Sequence, residues 1–275
     1  MTRIVFLPGR VREHDRLGHH DYLAGARLLA GLLARQHGVT TQVCEDGWPH
    51  DPCAFDDAAA LVFYEGGGGK QAVFQQPERS GVLSRSLERG AGLVMLHQGV
   101  GFPADGTEIG RAWLGGCYVP GTSSRGHWKT SHDRFPEHPV TRGVSPWRIE
   151  DGWLRDLVFV PDMTGITPLV WSGPIHAGSA AGGGADIAAW AYERRGGGRS
   201  FAFTGLDAHS AWSANGLRQL LVNAVTWVAG LDVPESGAPS ELDEAAIAAY
   251  LTPRRSRAAG LLRKLVSGKT PKRRW

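Results

Sequence analysis

Of the 11 histidines in this 275-residue chain, five (His14, His19, His20, His97 and His209) follow segments that read as the ends of strands. Imidazole titrates near neutrality and ligates metals, so this placement points to acid/base, metal or carbonyl chemistry. His97 is the sharpest case. The apolar run Gly92-Leu93-Val94-Met95-Leu96 breaks directly into His97-Gln98-Gly99-Val100-Gly101. A buried strand that ends in a polar residue and closely spaced glycines makes a tight turn, lifting one side chain above a sheet. Hydrolases with such a turn carry a serine or cysteine nucleophile there. An imidazole in that place argues against acyl transfer. A satisfied core histidine fits the position on its own; the other histidine-bearing strand ends favour function.

Those other ends carry matching residue types. After the first strand come His14, His19, His20 and Asp21, leading into a helix that starts near Tyr22. After Ala60–Tyr64 comes Glu65 with four glycines, and after Ser200–Thr204 comes Gly205-Leu206-Asp207-Ala208-His209, with Trp212 close behind. In open α/β sheets, ligands bind beyond the carboxyl ends of the strands. His20, His97, Asp207 and His209 are therefore expected to converge. Asp21 doubles as an N-cap candidate for its helix, and His19 reads equally well as a solvated side chain. Two tempting motifs fail. Gly66-Gly67-Gly68-Gly69-Lys70 lacks the Ser/Thr of a phosphate loop because Gln71 follows, and in Gly99-Val100-Gly101-Phe102-Pro103-Ala104 the proline comes too soon for a pyrophosphate-binding helix. Both read as tight turns near a ligand.

The elements that must hold these residues alternate. Arg3–Leu7, Thr40–Cys44, Ala60–Tyr64 and Leu93–Leu96 are strand-like, and between them Tyr22, Ala26, Leu29 and Leu33, then Ser80–Arg89, have helical spacing. This rhythm predicts an α/β three-layer sandwich with a mostly parallel central sheet. The stretch from Cys117 to Trp171 reads as long loops with short strands. Ile187–Tyr192 and Ser200–Thr204 return to strand character about the turn Arg194–Gly198, and Leu217 to Val228 form a covering amphipathic helix. Residues 1–233 are expected to be one domain. A linker and short helix follow over 234–251, and 252–275 read as a basic, flexible tail.

Composition narrows the class. Hydrophobic residues make up 42% of the chain, enough for a full core, and no apolar run approaches the ~20 residues of a membrane span. The first segment reads as a core strand rather than a signal peptide, and three cysteines without a CxxC give neither a disulfide framework nor a thiolate zinc site. A cytoplasmic protein is the expectation. Nine of the 30 Lys and Arg residues fall between Thr252 and Trp275 with no acid among them, so the net charge of +3 comes from the tail. Such a tail can contact an anionic partner, or remain a solvated extension.

At these residues the chain resembles the ThuA-like (trehalose utilisation) family, which has the class I glutamine amidotransferase-like fold. The likeness runs from about Arg3 to Val233. It is carried by Gly18-His19-His20-Asp21-Tyr22 with Ala24-Gly25, Leu61–Tyr64, Gly92–His97, Trp113–Gly116, His138–Val144, Asp151, Ala189-Trp190 and Gly197–Gly205, with His209 and Trp212. Two departures stand out. Gly152-Trp153-Leu154 follow Asp151 where relatives carry an acidic and then an aromatic residue, and Asp207 stands where close relatives commonly have a histidine. Glutamine amidotransferases place a cysteine at the turn held here by His97, so glutaminase activity is not expected.

The resemblance implies an enzyme of trehalose or glycoside metabolism, acting by proton transfer, elimination or hydrolysis on a keto-sugar or glycoside derivative, the keto-sugar being made by a partner sugar dehydrogenase. A ketone acidifies the neighbouring C–H bonds, so such a site needs a base for the proton and an electrophile for the enolate oxygen. His97, with Asp21, His209 or Asp207, fits the acid/base roles. A divalent metal such as zinc, held by His20, His97 and His209, fits the electrophile. Gln98, Trp128, Asp151, Trp212 and Glu65 are the candidate substrate contacts, and the tryptophans, Trp153 included, offer flat faces to a sugar ring. A homo-oligomer is compatible with all of this. The alternative is a non-catalytic sugar-binding protein on the same scaffold. A metal-ready cluster at the strand ends would favour the enzyme; a shallow cleft lined by tryptophan and amides would favour the binder.

Overall fold

The computed structural model describes residues 1–10, 16–51, 53–173 and 187–251. His14, the Gly/Ala-rich stretch 178–185 and the basic tail 252–275 lie outside the described residues. In chain order the strands are β1 (Thr2–Pro8), β2 (Val39–Val43), β3 (Ala58–Tyr64), β4 (Gly92–Leu96), β5 (Gly116–Cys117), β6 (Ser124–His132), β7 (Trp147–Arg155), β8 (Val158–Phe159), β9 (Ile166–Trp171), β10 (Ile187–Glu193) and β11 (Arg199–Phe203). The helices are α1 (Tyr22–Leu33), α2 (Pro77–Glu88), α3 (Thr107–Leu114), α4 (Asn215–Val228) and α5 (Glu244–Ala249).

Seven strands form the central sheet in the order β2-β1-β3-β4-β11-β10-β9. The first five are mutually parallel, and β10 is antiparallel to both of its neighbours. Successive strand residues point to opposite faces, and the sequence is apolar on both. Ile4 and Phe6, Val62 and Tyr64, Val94 and Leu96, and Phe201 and Phe203 pack into one core with α1 and α4. Val5 and Leu7, Leu61 and Phe63, Leu93 and Met95, and Ala202 pack into a second core with α2 and α3. Two buried faces make the three-layer sandwich that the alternation predicts.

The middle of the chain differs from its sequence reading. Residues 124–132 and 147–155 form a nine-residue antiparallel ladder, β6–β7, with His127 opposite Gly152 and Trp128 opposite Asp151. The segment after Val233 is also more than a linker. Ser240 and Ala238 accept hydrogen bonds from the α4 side chains Arg218 and Gln219, and Ile247 of α5 joins the α1/α4 core. No helix of the described residues is long and apolar enough to cross a membrane.

Candidate active site

The carboxyl ends of β1, β4 and β11 meet through backbone pairing. The turn before α1 and the turn after β11 bridge each other: His19 pairs with Ala208, the His20 amide donates to the Asp207 carbonyl at 2.9 Å, and the His209 amide donates to the Gly18 carbonyl at 2.6 Å. Residues nearly two hundred positions apart are thereby locked together. β4 lies beside β11 with Leu96 level with Phe203, so His97 emerges next to the same turn.

The result is one carboxylate ringed by four histidines. Asp207 is 4% exposed. Its Oδ1 faces His20 Nε2 at 2.7 Å and His97 Nε2 at 3.6 Å, while its Oδ2 faces His19 Nδ1 at 2.9 Å and His127 Nε2 at 3.0 Å. Burial alone would raise the pKa of Asp207. The hydrogen bonds from His20, His127 and His19, with a smaller electrostatic contribution from the His97 ring, outweigh it, holding the carboxyl well below the usual carboxylate range. His97 is 2% exposed, and neither of its ring nitrogens has a hydrogen-bond partner. Burial lowers its pKa to about 4, against the pull of Asp207 and of the backbone at Gly205 and Thr204. The ring is therefore neutral at physiological pH, with a lone pair available.

The backbone is strained where this happens. His20 has φ 52° and His97 φ 59°, a left-handed conformation that costs a non-glycine residue roughly 1–3 kcal/mol and persists only where the surroundings enforce it. Leu206, beside Asp207, has φ 72°. Its carbonyl accepts from the Tyr64 hydroxyl at 2.6 Å, and its amide donates to Asp151 Oδ2, also at 2.6 Å.

One ligand atom each from His20, His97 and Asp207 lies within 4.8 Å of the other two. Two imidazoles and a carboxylate with this spacing suit zinc or another divalent ion with an open coordination position. The second oxygen of Asp207, held by His19 and His127, gives the outer-shell hydrogen bonding that orients a ligating carboxylate. His209, expected beside His20 and His97, is not in this group; its Nε2 lies 3.1 Å from the Ile247 carbonyl of α5.

The other candidate residues divide. Asp21 is the N-cap of α1 and accepts from the Ala24 amide at 3.4 Å, so the capping role is the one its geometry supports. Asp151 is 2% exposed and accepts from the amides of Leu206, Asp207, Ala208 and Gly152, so its oxygens are occupied and it shapes the turn instead of facing a ligand. Burial raises its pKa to about 6 in spite of those amides. Trp212 and Trp153 are fully buried and present no face to a sugar. Trp128 is half-buried, with its indole N–H on the Ser172 carbonyl and the Arg155 guanidinium over its ring. Gln98 is half-buried in the turn after His97. Glu65 lines a separate cavity at the ends of β1 and β3.

His19, for which the sequence leaves a solvated role open, is a partner of Asp207; His127 is not among the residues the sequence singles out. It stands on the more exposed face of β6, opposite Gly152, and only the hairpin register brings it to Asp207. A side chain at Gly152 would put its Cβ 3.0 Å from both Asp207 Cβ and His127 Nε2, so glycine is what lets histidine and aspartate meet. A cavity of about 500 Å³ at the opposite ends of the strands is lined by Arg194 and Gly198, among others. Arg194 is spent there on the carbonyls of Ala91 and Arg199 and on the Ser200 hydroxyl.

A family model described as ThuA, trehalose utilisation, matches residues 11–228. The chain belongs to the ThuA family. Among solved structures, a thua-like protein from Bacteroides uniformis ATCC 8492 superposes with a TM-score of 0.57 at 15% identity, covering 86% of this chain and 94% of that one. Another from Parabacteroides merdae ATCC 43184 gives 0.56 at 15% identity over 87% and 97%. A cytoplasmic protein from Salmonella typhimurium gives 0.52 at 12% identity over 84% and 97%. At these identities the likeness is one of fold, the glutamine amidotransferase-like fold of ThuA proteins. No curated protein matches the sequence at a significant level.

Proposed function

We propose that this ThuA protein is a carbohydrate-metabolism enzyme that processes a keto-sugar or related glycoside derivative by proton transfer, using a divalent metal held by His20, His97 and Asp207. The observation that carries this reading is the orphaned imidazole of His97. It is buried and neutral, neither ring nitrogen meets a partner in good hydrogen-bond geometry, and Nε2 lies 3.6 Å from a carboxylate oxygen that His20 also faces. Leaving two buried polar atoms unpaired costs free energy that a structural histidine would avoid by finding a partner.

A bound divalent ion would supply the electrophile that polarises a sugar carbonyl. The protein's own residues would do the rest. His127, two-thirds exposed and hydrogen-bonded to Asp207, is the histidine that a substrate can reach from solvent and is suited to take or return a proton. His19, on the same oxygen, would hold Asp207 in register. The tryptophan-lined cleft of a pure binding protein has little support, since two of the three candidate rings are buried.

The test is elemental analysis of the full-length protein, combined with solvent deuterium exchange into a 3-keto-glucoside monitored by NMR. Stoichiometric metal, and exchange that is lost in His97→Asn, are the expected results. A metal-free protein that still turns over the ketone would overturn the metal role, and a metal-loaded protein without exchange or conversion would overturn the enzymatic one.

A further inference from the structure

A second cavity, of about 450 Å³, lies where the sheet changes direction. The chain passes from β1 outward to β2 and then back to β3 on the other side of β1. Such a switch point opens a crevice beyond the strand ends that doubly wound folds use for ligands. Pro8, Gly9 and Arg10 follow β1, Asp46 and Gly47 follow β2, and Glu65 follows β3, and all of them line it. Its far wall carries Lys70 and Arg79. Gly9 forms part of the floor: a Cβ there would sit 2.7 Å from Glu65 and 2.9 Å from Tyr22.

Two lining side chains are incompletely satisfied. Glu65 is 2% exposed; its Oε2 accepts from the Ala72 amide at 2.8 Å, while Oε1 is buried without a partner. Arg79 uses Nη1 on the Ala72 carbonyl and stacks over Trp48, while its Nε is buried without a partner. A carboxyl oxygen and a guanidinium N–H left unpaired on one cavity call for a ligand that meets both. Around them stand three cations, Arg10, Lys70 and Arg79, and one further acid, Asp46. Burial raises Glu65 to about 8, which makes it a neutral hydrogen-bonding carboxyl at physiological pH and leaves the wall positive.

We propose that this crevice binds an anionic polyhydroxy compound, a monosaccharide carrying a phosphate or carboxylate group, with Glu65 against a hydroxyl and Arg79, Lys70 and Arg10 around the anion. The volume suits one sugar ring with its charged substituent. Tyr22 lines the crevice and also packs against His20 and His97, with ring centroids 5.8 and 6.1 Å apart. The site therefore adjoins the histidine cluster across one aromatic ring. It stands on its own residues and does not need the metal.

Isothermal titration of the full-length protein with glucose 6-phosphate, gluconate, glucose and inorganic phosphate tests the assignment and separates the two anion sources. At least one acidic sugar should bind tenfold or more tightly than both glucose and inorganic phosphate. Arg10→Gln/Lys70→Gln, which alters two exposed side chains, should weaken that binding at least tenfold without changing the melting temperature. Glu65→Gln should retain it and Glu65→Leu should lose it; if the leucine variant fails to fold, the double variant decides. Equal binding of glucose and the acidic sugars, no binding of either acidic sugar at millimolar concentration, or an unchanged affinity in the double variant would each overturn the proposal.

Discussion

Asp151 holds Asp207 without touching its side chain. From β7 it accepts the amides of Leu206, Asp207 and Ala208 at 2.6, 2.9 and 3.3 Å, and so fixes the left-handed Leu206 and the direction in which Asp207 leaves the turn. An asparagine at this position would offer an NH₂ to amides that need an acceptor. Asp151→Asn is expected to lower stability by about 2–4 kcal/mol and to weaken metal retention in the protein that still folds. Metal content per folded molecule, set beside a denaturation curve, checks this. Wild-type metal affinity in a destabilised variant would reduce Asp151 to a purely structural acid.

The β6–β7 hairpin contributes through a missing side chain. In Gly152→Ala the added methyl would meet His127 Nε2 and Asp207 Cβ at 3.0 Å, and the exposed histidine has the freedom to move. Conversion of the keto-sugar should fall roughly 10- to 100-fold while the melting temperature changes little. A variant with full activity would remove His127 from the proton-transfer role.

How much of this was legible from sequence follows from where the information lies. The central sheet was readable because strands buried on both faces are written as continuous apolar runs, as in Leu61–Phe63 and Leu93–Leu96, bounded by polar turns. His97 and Asp207 stood out because each directly follows such a run. His127 did not, because its position depends on the register of a hairpin whose two strands are polar on one side and separated by fourteen residues of loop. That Asp207, and not His209, groups with His20 and His97 was equally hidden. Both residues lie in one short turn, and their directions are set by Asp151 and by α5, which are distant in sequence. Asp207 is the residue on which the cluster centres.

The pH dependence of stability isolates Glu65. Its folded-state pKa, about 8 against an ordinary 4.5, means that the native protein holds a proton the unfolded chain has released. Stability must therefore fall as pH rises through that window, by up to about 1.4 kcal/mol per pH unit. Below about 6.5 the buried, neutral His97, His132 and His138, each lowered to about 4, act in the opposite sense, since the unfolded chain binds their protons first. Between pH 6.5 and 8 the Glu65 effect should dominate, and Glu65→Gln should flatten the curve there. Parallel denaturation profiles for wild type and variant across that range would refute a protonated Glu65.

His97 and His209 make the sharpest contrast, because both follow strands and both are buried, at 2% and 4% exposure. His209 reaches the Ile247 carbonyl and so ties α5 to the domain, whereas the ring nitrogens of His97 have no partner. Asparagine tolerates the left-handed backbone at position 97 better than most residues, so His97→Asn removes the imidazole without adding strain. Its melting temperature in the absence of metal should match or exceed that of the equally metal-free wild type, while bound metal is lost and turnover of the keto-sugar falls by roughly 10²–10⁴. His209→Asn should do the reverse, lowering the melting temperature by a few degrees through the broken tie to α5 and leaving metal content and activity per folded molecule near wild type. Measuring melting, metal and turnover on both variants separates the roles, and a His97→Asn protein with full metal and full activity would move the chemistry away from the β4 turn.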